Sequence, residues 1–356
     1  MLFNDIYKDK VCLVTGHTGF KGSWLAHWLN RMGAQVIGYS LKSQSTPNHF
    51  ELLQSDYTSI IGDIRDLNHL EKVFNKYKPN IVFHLAAQAL VRYSYDAPLE
   101  TIQTNIIGTS NILELSRKCK SVEVVINVTS DKCYENKEIS RGYNESDRMG
   151  GHDPYSSSKG CSELITSSYQ NSFYKTLNKS LASARAGNVI GGGDWASDRI
   201  IPDLVKSAST KEVTYIRNPI ATRPWQHVLE PLSGYLTLGW RLYEKYDYNE
   251  GWNFGPYADD NLSVKEIVNR ASKFWERINF KIEKKDTHYH EANLLMLDCS
   301  KANNLLKWKP VWGINQALDK TINWYKDYYE YDKINTNKDL DQFIADAKRK
   351  FLIWTK

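Results

Sequence analysis

Val11-Cys12-Leu13-Val14-Thr15-Gly16-His17-Thr18-Gly19-Phe20-Lys21-Gly22 is the stretch on which the architecture turns. A short β-favouring run passes directly into a glycine-spaced turn, and an amphipathic segment over 23–32 follows, so the order is strand, turn, helix. Gly16 permits a sharp reversal, Gly19 lets backbone approach a pyrophosphate, and Gly22 lets helix pack closely on strand. The helix start then points free N–H groups and its positive dipole end at the phosphates. His17, Thr18, Phe20 and Lys21 complete the turn. His17 and Lys21 are within reach of the pyrophosphate, although side chains at such positions more often face solvent. The spacing is G-x-x-G-x-x-G rather than G-x-G-x-x-G, so its weight comes from the strand–turn–helix context.

An acidic residue gripping the adenosine ribose is expected about 20 residues further on. The second strand instead ends Gly38-Tyr39-Ser40-Leu41-Lys42, with no carboxylate before Glu51. That position does not separate NAD from NADP. Asp63, in Gly62-Asp63-Ile64-Arg65-Asp66, is placed either to meet the adenine or to cap a turn or helix.

Working outward, strands are expected at 11–14, 35–39, 59–61, 81–85 and 122–128, separated by helices at 67–77, 98–118 and 155–174. Val- and Ile-rich strands alternating with helices imply a parallel sheet covered on both faces. The expected fold class is therefore α/β, a doubly wound parallel sheet with a smaller mixed α/β C-terminal lobe. Beyond 186 the pattern loosens, with helices at 229–243, 264–275 and 315–329 and a strand end at 252–256. We expect a nucleotide-binding domain over 1–185, completed by 226–256. A substrate lobe is expected over 186–225 and 257–330, with a C-terminal helical tail over 331–356.

The chain has 356 residues, with 46 Lys plus Arg against 41 Asp plus Glu. That length suits two domains or one large unit with an appended lobe. No stretch approaches the roughly 20 apolar residues of a membrane span, and 11 Trp, 22 Tyr and 11 Phe argue against disorder. A net charge of +5 without a basic run is weak support for nucleic-acid binding and suits an anionic small molecule. Five scattered cysteines, without C-x-x-C, and no apolar signal stretch in residues 1–10 fit a reducing cytoplasm. His288-Tyr289-His290-Glu291 lacks metal-ligand spacing, so no metal is expected.

The fifth strand runs into Thr129-Ser130-Asp131-Lys132-Cys133-Tyr134, and about 25 residues on comes Asp153-Pro154-Tyr155-Ser156-Ser157-Ser158-Lys159. Tyr155 and Lys159, at i and i+4, share a helix face. There an ammonium can lower the phenol's pKa from about 10 so that it works as a base near neutrality. Ser130 can share the proton being moved.

Over nearly its whole length the chain resembles the extended short-chain dehydrogenase/reductase family. The resemblance is carried by the glycine turn, Asp63, His84-Leu85-Ala86-Ala87-Gln88, Asn105, Ser130 and the Tyr155/Lys159 pair. Within the family, 15–25, 129–134, 149–155, 185–195 and Arg223-Pro224-Trp225-Gln226-His227-Val228 are similar to nucleotide-sugar 4,6-dehydratases. Relatives acting on dTDP-glucose carry Thr-Asp-Glu where this chain has Ser130-Asp131-Lys132, a departure that marks the CDP-glucose branch.

The resemblance implies NAD, held by the glycine turn with Asp63, Ile64, Leu85, Ala86, Ala87, Gln88, Asn105, Tyr155 and Lys159. It implies that Tyr155 takes the C4 hydroxyl proton while hydride passes to NAD, supported by Lys159 and Ser130. By analogy Lys132 then removes the C5 proton, or only steadies the enolate, and Asp131 protonates the departing C6 hydroxyl. Hydride returns to C6, giving CDP-4-dehydro-6-deoxyglucose, a precursor of surface polysaccharide. Arg223 leads the candidates for the diphosphate, with Arg185, Asn188, Arg199 and Arg217 behind it; each arginine is equally open to a structural ion pair. Trp195 and Trp225 are more readily core residues than a stacking platform. A homodimer through helices near 100–118 and 155–174 is implied, with an epimerase on the same scaffold as the main rival.

Overall fold

The computed structural model describes residues 1–283 and 294–356. Seven parallel strands form one sheet: β1 (Val11–Thr15), β2 (Gln35–Ser40), β3 (Thr58–Ile61), β4 (Ile81–His84), β5 (Val124–Val128), β6 (Ser180–Ala186) and a last strand, Gly251–Phe254. Their spatial order is 3-2-1-4-5-6 followed by Gly251–Phe254. The chain leaves β1 for β2 on one side and returns to β4 on the other, so a crevice opens at the carboxyl ends of β1 and β4. This is the doubly wound α/β arrangement expected from the alternating pattern.

The period-2 alternation of each strand divides the core. Cys12 and Val14 of β1, with Val124, Ile126 and Val128 of β5, face a core containing Trp24, Leu25, Trp28 and Leu29 of helix α1 (Phe20–Arg31) and much of helix Leu229–Tyr243. Leu13 and Val125 face the opposite layer, built from helices Leu67–Tyr77 and Thr109–Lys118. A third core, around Trp195, Trp275 and Trp324, lies among helices Ile200–Thr210, Val264–Ala271 and Ile314–Tyr331. Trp225 joins it.

Several element ends differ from expectation for local reasons. α1 begins at Phe20 because Gly19, in extended conformation, is its N-cap. The helix carrying Tyr155 and Lys159 begins at Pro154, preset for a first turn, with Asp153 accepting the Ser156 N–H. The helix expected over 98–118 is Pro98–Ile102 and Thr109–Lys118 joined by a π-type stretch, Gln103–Gly108. β6 and helix Ile200–Thr210 were not expected. Nor were the lobe's paired short strands, Val213–Ile216 with Asn279–Ile282 and Thr222–Pro224 with Asn261–Ser263. Residues 288–291 lie outside the described part. Among the described residues no helix is long and apolar enough to cross a membrane, and all five cysteines are free thiols.

Candidate active site

The glycine turn is closed by sterics. Gly16 has φ +77°, and a Cβ there would lie 2.8 Å from the Ala86 backbone nitrogen. A Cβ on Gly22 would collide with the Gly16 carbonyl. Thr15 Oγ1 locks the turn to β4, bonding His84 Nδ1 at 2.7 Å and accepting the Leu85 and Ala86 N–H groups. α1 starts with no side-chain cap, so the donors of its first turn are left for a ligand. A cradle of bare backbone at a helix start fits a dinucleotide pyrophosphate.

The side chains of the turn do not follow a single rule. His17 is buried rather than solvent-facing: its ring packs where a Cβ on Gly38 would sit and Nε2 lies 2.7 Å from Ser59 Oγ. Burial pushes it down to about 4, so it is neutral at pH 7. Thr18 Oγ1 bonds Ser40 Oγ and the Leu41 carbonyl, anchoring the turn to the end of β2. Lys21 is partly covered among the charges of Arg199, Lys159, Asp131 and Asp194; burial and then Arg199 pull it down to about 8 against the attraction of the two carboxylates. Phe20 packs against the core beneath the sheet.

Asp63 spends its carboxylate on Arg65, at 2.5 Å to the guanidinium and 2.8 Å to the backbone N–H. The turn-capping alternative is thus the one seen for that side chain. Ile64 is buried where a Cβ on Gly108 would collide with it. Asn105, on the π-type stretch, bonds both the N–H and the carbonyl of Gln88 and also Ser158 Oγ. It therefore ties the 85–88 loop, with Leu85, Ala86 and Ala87, to the helix that carries Tyr155 and Lys159.

That helix, Pro154–Tyr169, places Tyr155, Lys159 and Glu163 on one face at four-residue intervals. Opposite it, Asp131–Cys133 forms a single tight turn whose Lys132 N–H is accepted by Ser130 Oγ at 3.2 Å. Ser130 also donates to Asp131 Oδ1 at 3.0 Å and hydrogen-bonds the Tyr155 phenol. Lys159 Nζ stands 6.0 Å from the Tyr155 ring centre. Ser130, Asp131, Tyr155 and Lys159 are thus one cluster, with Lys132 charge-coupled to Asp131.

The electrostatics qualify one expectation. Burial pushes Tyr155 up to about 12, with the Ser130 hydrogen bond opposing it and Asp131 adding to it. Lys159 is itself pulled down by burial to about 8, and at that distance does not overcome the desolvation of the phenol. Without ligands, therefore, Tyr155 is a protonated phenol at neutral pH.

Asp131 is 3% exposed, and its Oδ2 has no hydrogen-bond partner among the described residues. Burial raises its pKa, opposed by Lys132, Ser130, Arg223 and Lys21. A Cβ on Gly187 would stand 2.9 Å from that Oδ2, so the glycine there leaves room for the buried carboxyl.

The arginines separate by environment. Arg223 is electrostatically coupled to Asp131 and donates to the Thr222 carbonyl. Arg199 pairs with Asp194 at 2.8 Å and acts on Tyr155. Asn188 is half-buried beside the loop, its carbonyl accepting the Gln226 N–H. Arg217 sits further out, 3.2 Å from Asp198, which also pairs with Arg92. Arg185 corrects the expectation of a substrate ligand: it is 5% exposed and its guanidinium is committed to Glu163 and Tyr134, each at 2.7 Å. Trp195 and Trp225 are buried, their indole N–H groups donating to Tyr329 and to the Leu262 carbonyl. Glu163, Tyr134 and Asp194 escaped the sequence reading. For Glu163 the signal was present, since it continues the spacing of Tyr155 and Lys159.

Comparison with known proteins agrees with this construction. Residues 13–321 match the family model described as GDP-mannose 4,6 dehydratase. The chain is 48% identical over 334 residues to a CDP-glucose 4,6-dehydratase of Salmonella typhimurium, covering 92% of this chain and 93% of that protein. An epimerase structure from Methanothermobacter thermautotrophicus superposes with TM-score 0.82 at 25% identity, covering 92% of this chain and 95% of the other. A Bacillus anthracis dTDP-glucose 4,6-dehydratase in complex with NAD gives TM-score 0.74 at 21% identity, over 89% and 97% of the two chains, a likeness of fold. With its glycine-turn sheet and a family match across most of its length, the chain belongs to the GDP-mannose 4,6-dehydratase family of extended short-chain dehydrogenases/reductases.

Proposed function

We propose that this chain is an NAD-dependent CDP-glucose 4,6-dehydratase, converting CDP-glucose to CDP-4-dehydro-6-deoxyglucose and water. The observation that carries the reading is Asp131: a buried carboxyl, raised in pKa, with an unpartnered oxygen beside Tyr155 and Ser130. A carboxyl whose hold on a proton is strengthened by burial is suited to protonate a leaving hydroxyl, a step which epimerisation at C4 does not need. The 48% identity to a CDP-glucose 4,6-dehydratase favours cytidine as the nucleoside.

In this reading the glycine cradle holds the pyrophosphate. When bound, NAD supplies the hydride acceptor and donor, together with a positive charge that favours a phenolate. Tyr155 removes the C4 hydroxyl proton, with Ser130 holding the reacting oxygen and Lys159 supporting the phenolate. The C4 ketone acidifies C5–H. Lys132 receives that proton, and Asp131 delivers one to the C6 oxygen as water departs. Arg223 and Arg199, charge-coupled to Asp131 and Tyr155 respectively, are the diphosphate ligands, with Asn188 and Arg217 toward the nucleoside. Asp63, its side chain engaged with Arg65, offers the cofactor backbone rather than a free carboxylate.

The same reading gives a cytoplasmic homodimer. Leu99 and Ile102 on helix Pro98–Ile102 with Ile107 on the π-type stretch after it, and Leu164 on helix Pro154–Tyr169 with Phe173 and Leu177 just beyond it, are exposed apolar side chains that a second copy would cover. The decisive experiment incubates the protein and NAD with CDP-glucose, dTDP-glucose, GDP-mannose and UDP-glucose. A 4-dehydro-6-deoxy product from CDP-glucose alone supports the reading. A C4 epimer without loss of water, or turnover of a different nucleotide sugar only, overturns it.

A further inference from the structure

Glu163 lies beneath the catalytic turn, 4% exposed, and receives three donors. Thr129 Oγ1 donates to Oε1, while Ser183 Oγ at 2.6 Å and the Arg185 guanidinium at 2.7 Å donate to Oε2. Arg185 reaches on to the Tyr134 hydroxyl at 2.7 Å, stacks over that ring at 5.1 Å, and the same hydroxyl donates to Asn253 Oδ1 at 2.8 Å. Thr129 and Tyr134 bracket residues 130–133, so both ends of the catalytic turn are fastened to one ion pair. Glu163 is also the next residue after Tyr155 and Lys159 on the same face of its helix.

We propose that the Glu163–Arg185 pair is the positioning clamp of the reaction, holding the turn of Ser130, Asp131 and Lys132 in register with Tyr155 and Lys159. This rests on the dehydratase reading above, because it assigns the pair a role in that chemistry. Neither residue touches the reacting atoms. Burial removes Arg185 from the substrate and gives it a carboxylate, a phenol and an aromatic face instead, a geometry that a planar guanidinium can satisfy and an ammonium cannot. The carboxylate also faces Lys159. It supports the ammonium against desolvation and against Lys21, while the Cys133 thiol, kept protonated by burial, neutral His84 and the Tyr155 ring complete the surroundings of Lys159. Loss of register by about 1 Å costs on the order of 100-fold in rate, so a clamp outside the chemistry still controls turnover.

The test uses Glu163→Gln, Arg185→Lys and Thr129→Val, with wild-type turnover of CDP-glucose as the control that judges the function reading separately. We expect kcat to fall at least tenfold in Glu163→Gln and Arg185→Lys and about threefold to tenfold in Thr129→Val. KM for CDP-glucose and the Kd for NAD, the latter read by titration without substrate, should stay within twofold. Glu163→Gln should also move the alkaline limb of the kcat profile to lower pH, because Lys159 loses an anion; Thr129→Val, which keeps both charges, should not. If the charge variants fail to fold, Thr129→Val alone decides through its split of kcat from KM. A folded variant set with lowered thermal stability but wild-type kcat and pH profile overturns the clamp while leaving the dehydratase reading intact. Absence of turnover by wild-type protein removes that reading first.

Discussion

Asp131 has two carboxyl oxygens with opposite fates. Oδ1 accepts from Ser130, whereas Oδ2 is buried next to Gly187 with no hydrogen-bond partner among the described residues. Burial favours the neutral acid, and the nearby cations Lys132, Arg223 and Lys21 hold the shift in check. Asp131→Asn keeps the size and the Oδ1 acceptor but removes the transferable proton. We expect it to retain C4 oxidation and solvent exchange at C5 while the release of water slows by about 100-fold or more, the usual range for a lost general acid. Deuterium incorporation at C5, followed by mass spectrometry beside product formation, reads both steps in one sample; unimpaired water loss would falsify the acid assignment. The sign of the pH effect follows: the acid form is needed, so water loss declines as pH rises through the raised pKa. That Ser130, Asp131, Tyr155 and Lys159 come together was legible because the i, i+4 spacing sets two of them on one helix face and the other two follow the neighbouring strand. Arg185 was misjudged for a physical reason, since a guanidinium at a strand end serves a phosphate or a buried carboxylate equally well. Only the presence of Glu163, Ser183 and Tyr134 around it decides.

Among elements, β1, β2, β4 and β5 were legible because their apolar runs are buried in the parallel sheet, and edge strand β3 from Ile60 and Ile61 following the same alternation. β6 reads Ser180-Leu181-Ala182-Ser183-Ala184-Arg185-Ala186, a composition that favours helix as much as strand. Its place between β5 and Gly251–Phe254 supplies the preference that its side chains lack. The lobe's strands are two to four residues long and pair at long range, so no periodicity could develop. The packed helices Pro98–Ile102 and Pro154–Tyr169 are informative for another reason. Leu99 is 73% exposed and Leu164 61%, large apolar side chains on elements whose inner faces are fully used. A carboxylate at either position costs an exposed helix little but would be buried unpaired in the proposed dimer. Wild-type protein should sediment at twice the chain mass, and Leu99→Glu combined with Leu164→Glu at the chain mass with an unchanged circular dichroism spectrum. A double variant that stays dimeric, or a monomeric wild type, removes this interface.

At the scale of the molecule, the sheet and the third core are joined through aromatic and histidine contacts rather than through one continuous aliphatic core. His49 stacks on Trp24 of α1 with ring centres 4.8 Å apart and meets Trp324 of the lobe at 5.9 Å. Its Nδ1 bonds Ser23 Oγ at 2.8 Å and its Nε2 bonds Thr336 Oγ1 at 2.9 Å. Both nitrogens are used by hydroxyls and the ring is 1% exposed, so burial pulls its pKa down to about 3. In the unfolded chain the ring titrates at about 6.5. Below that pH the unfolded state binds the proton and the folded state does not, so stability is intact above about 6.5 and is lost as pH falls toward the folded value. This site alone should contribute a slope of about 1.4 kcal/mol per pH unit over that window. His17 and His227, lowered to about 4 and about 3, act in the same direction. Urea unfolding of wild type between pH 7 and pH 4.5 should therefore show steeply falling stability. His49→Phe should begin less stable at pH 7, having lost two hydrogen bonds, yet decline more gently, by about 1 kcal/mol per pH unit. Parallel curves for the two proteins would mean that the ring is protonated in the folded state, and that the junction between sheet and lobe is not the neutral contact these distances describe.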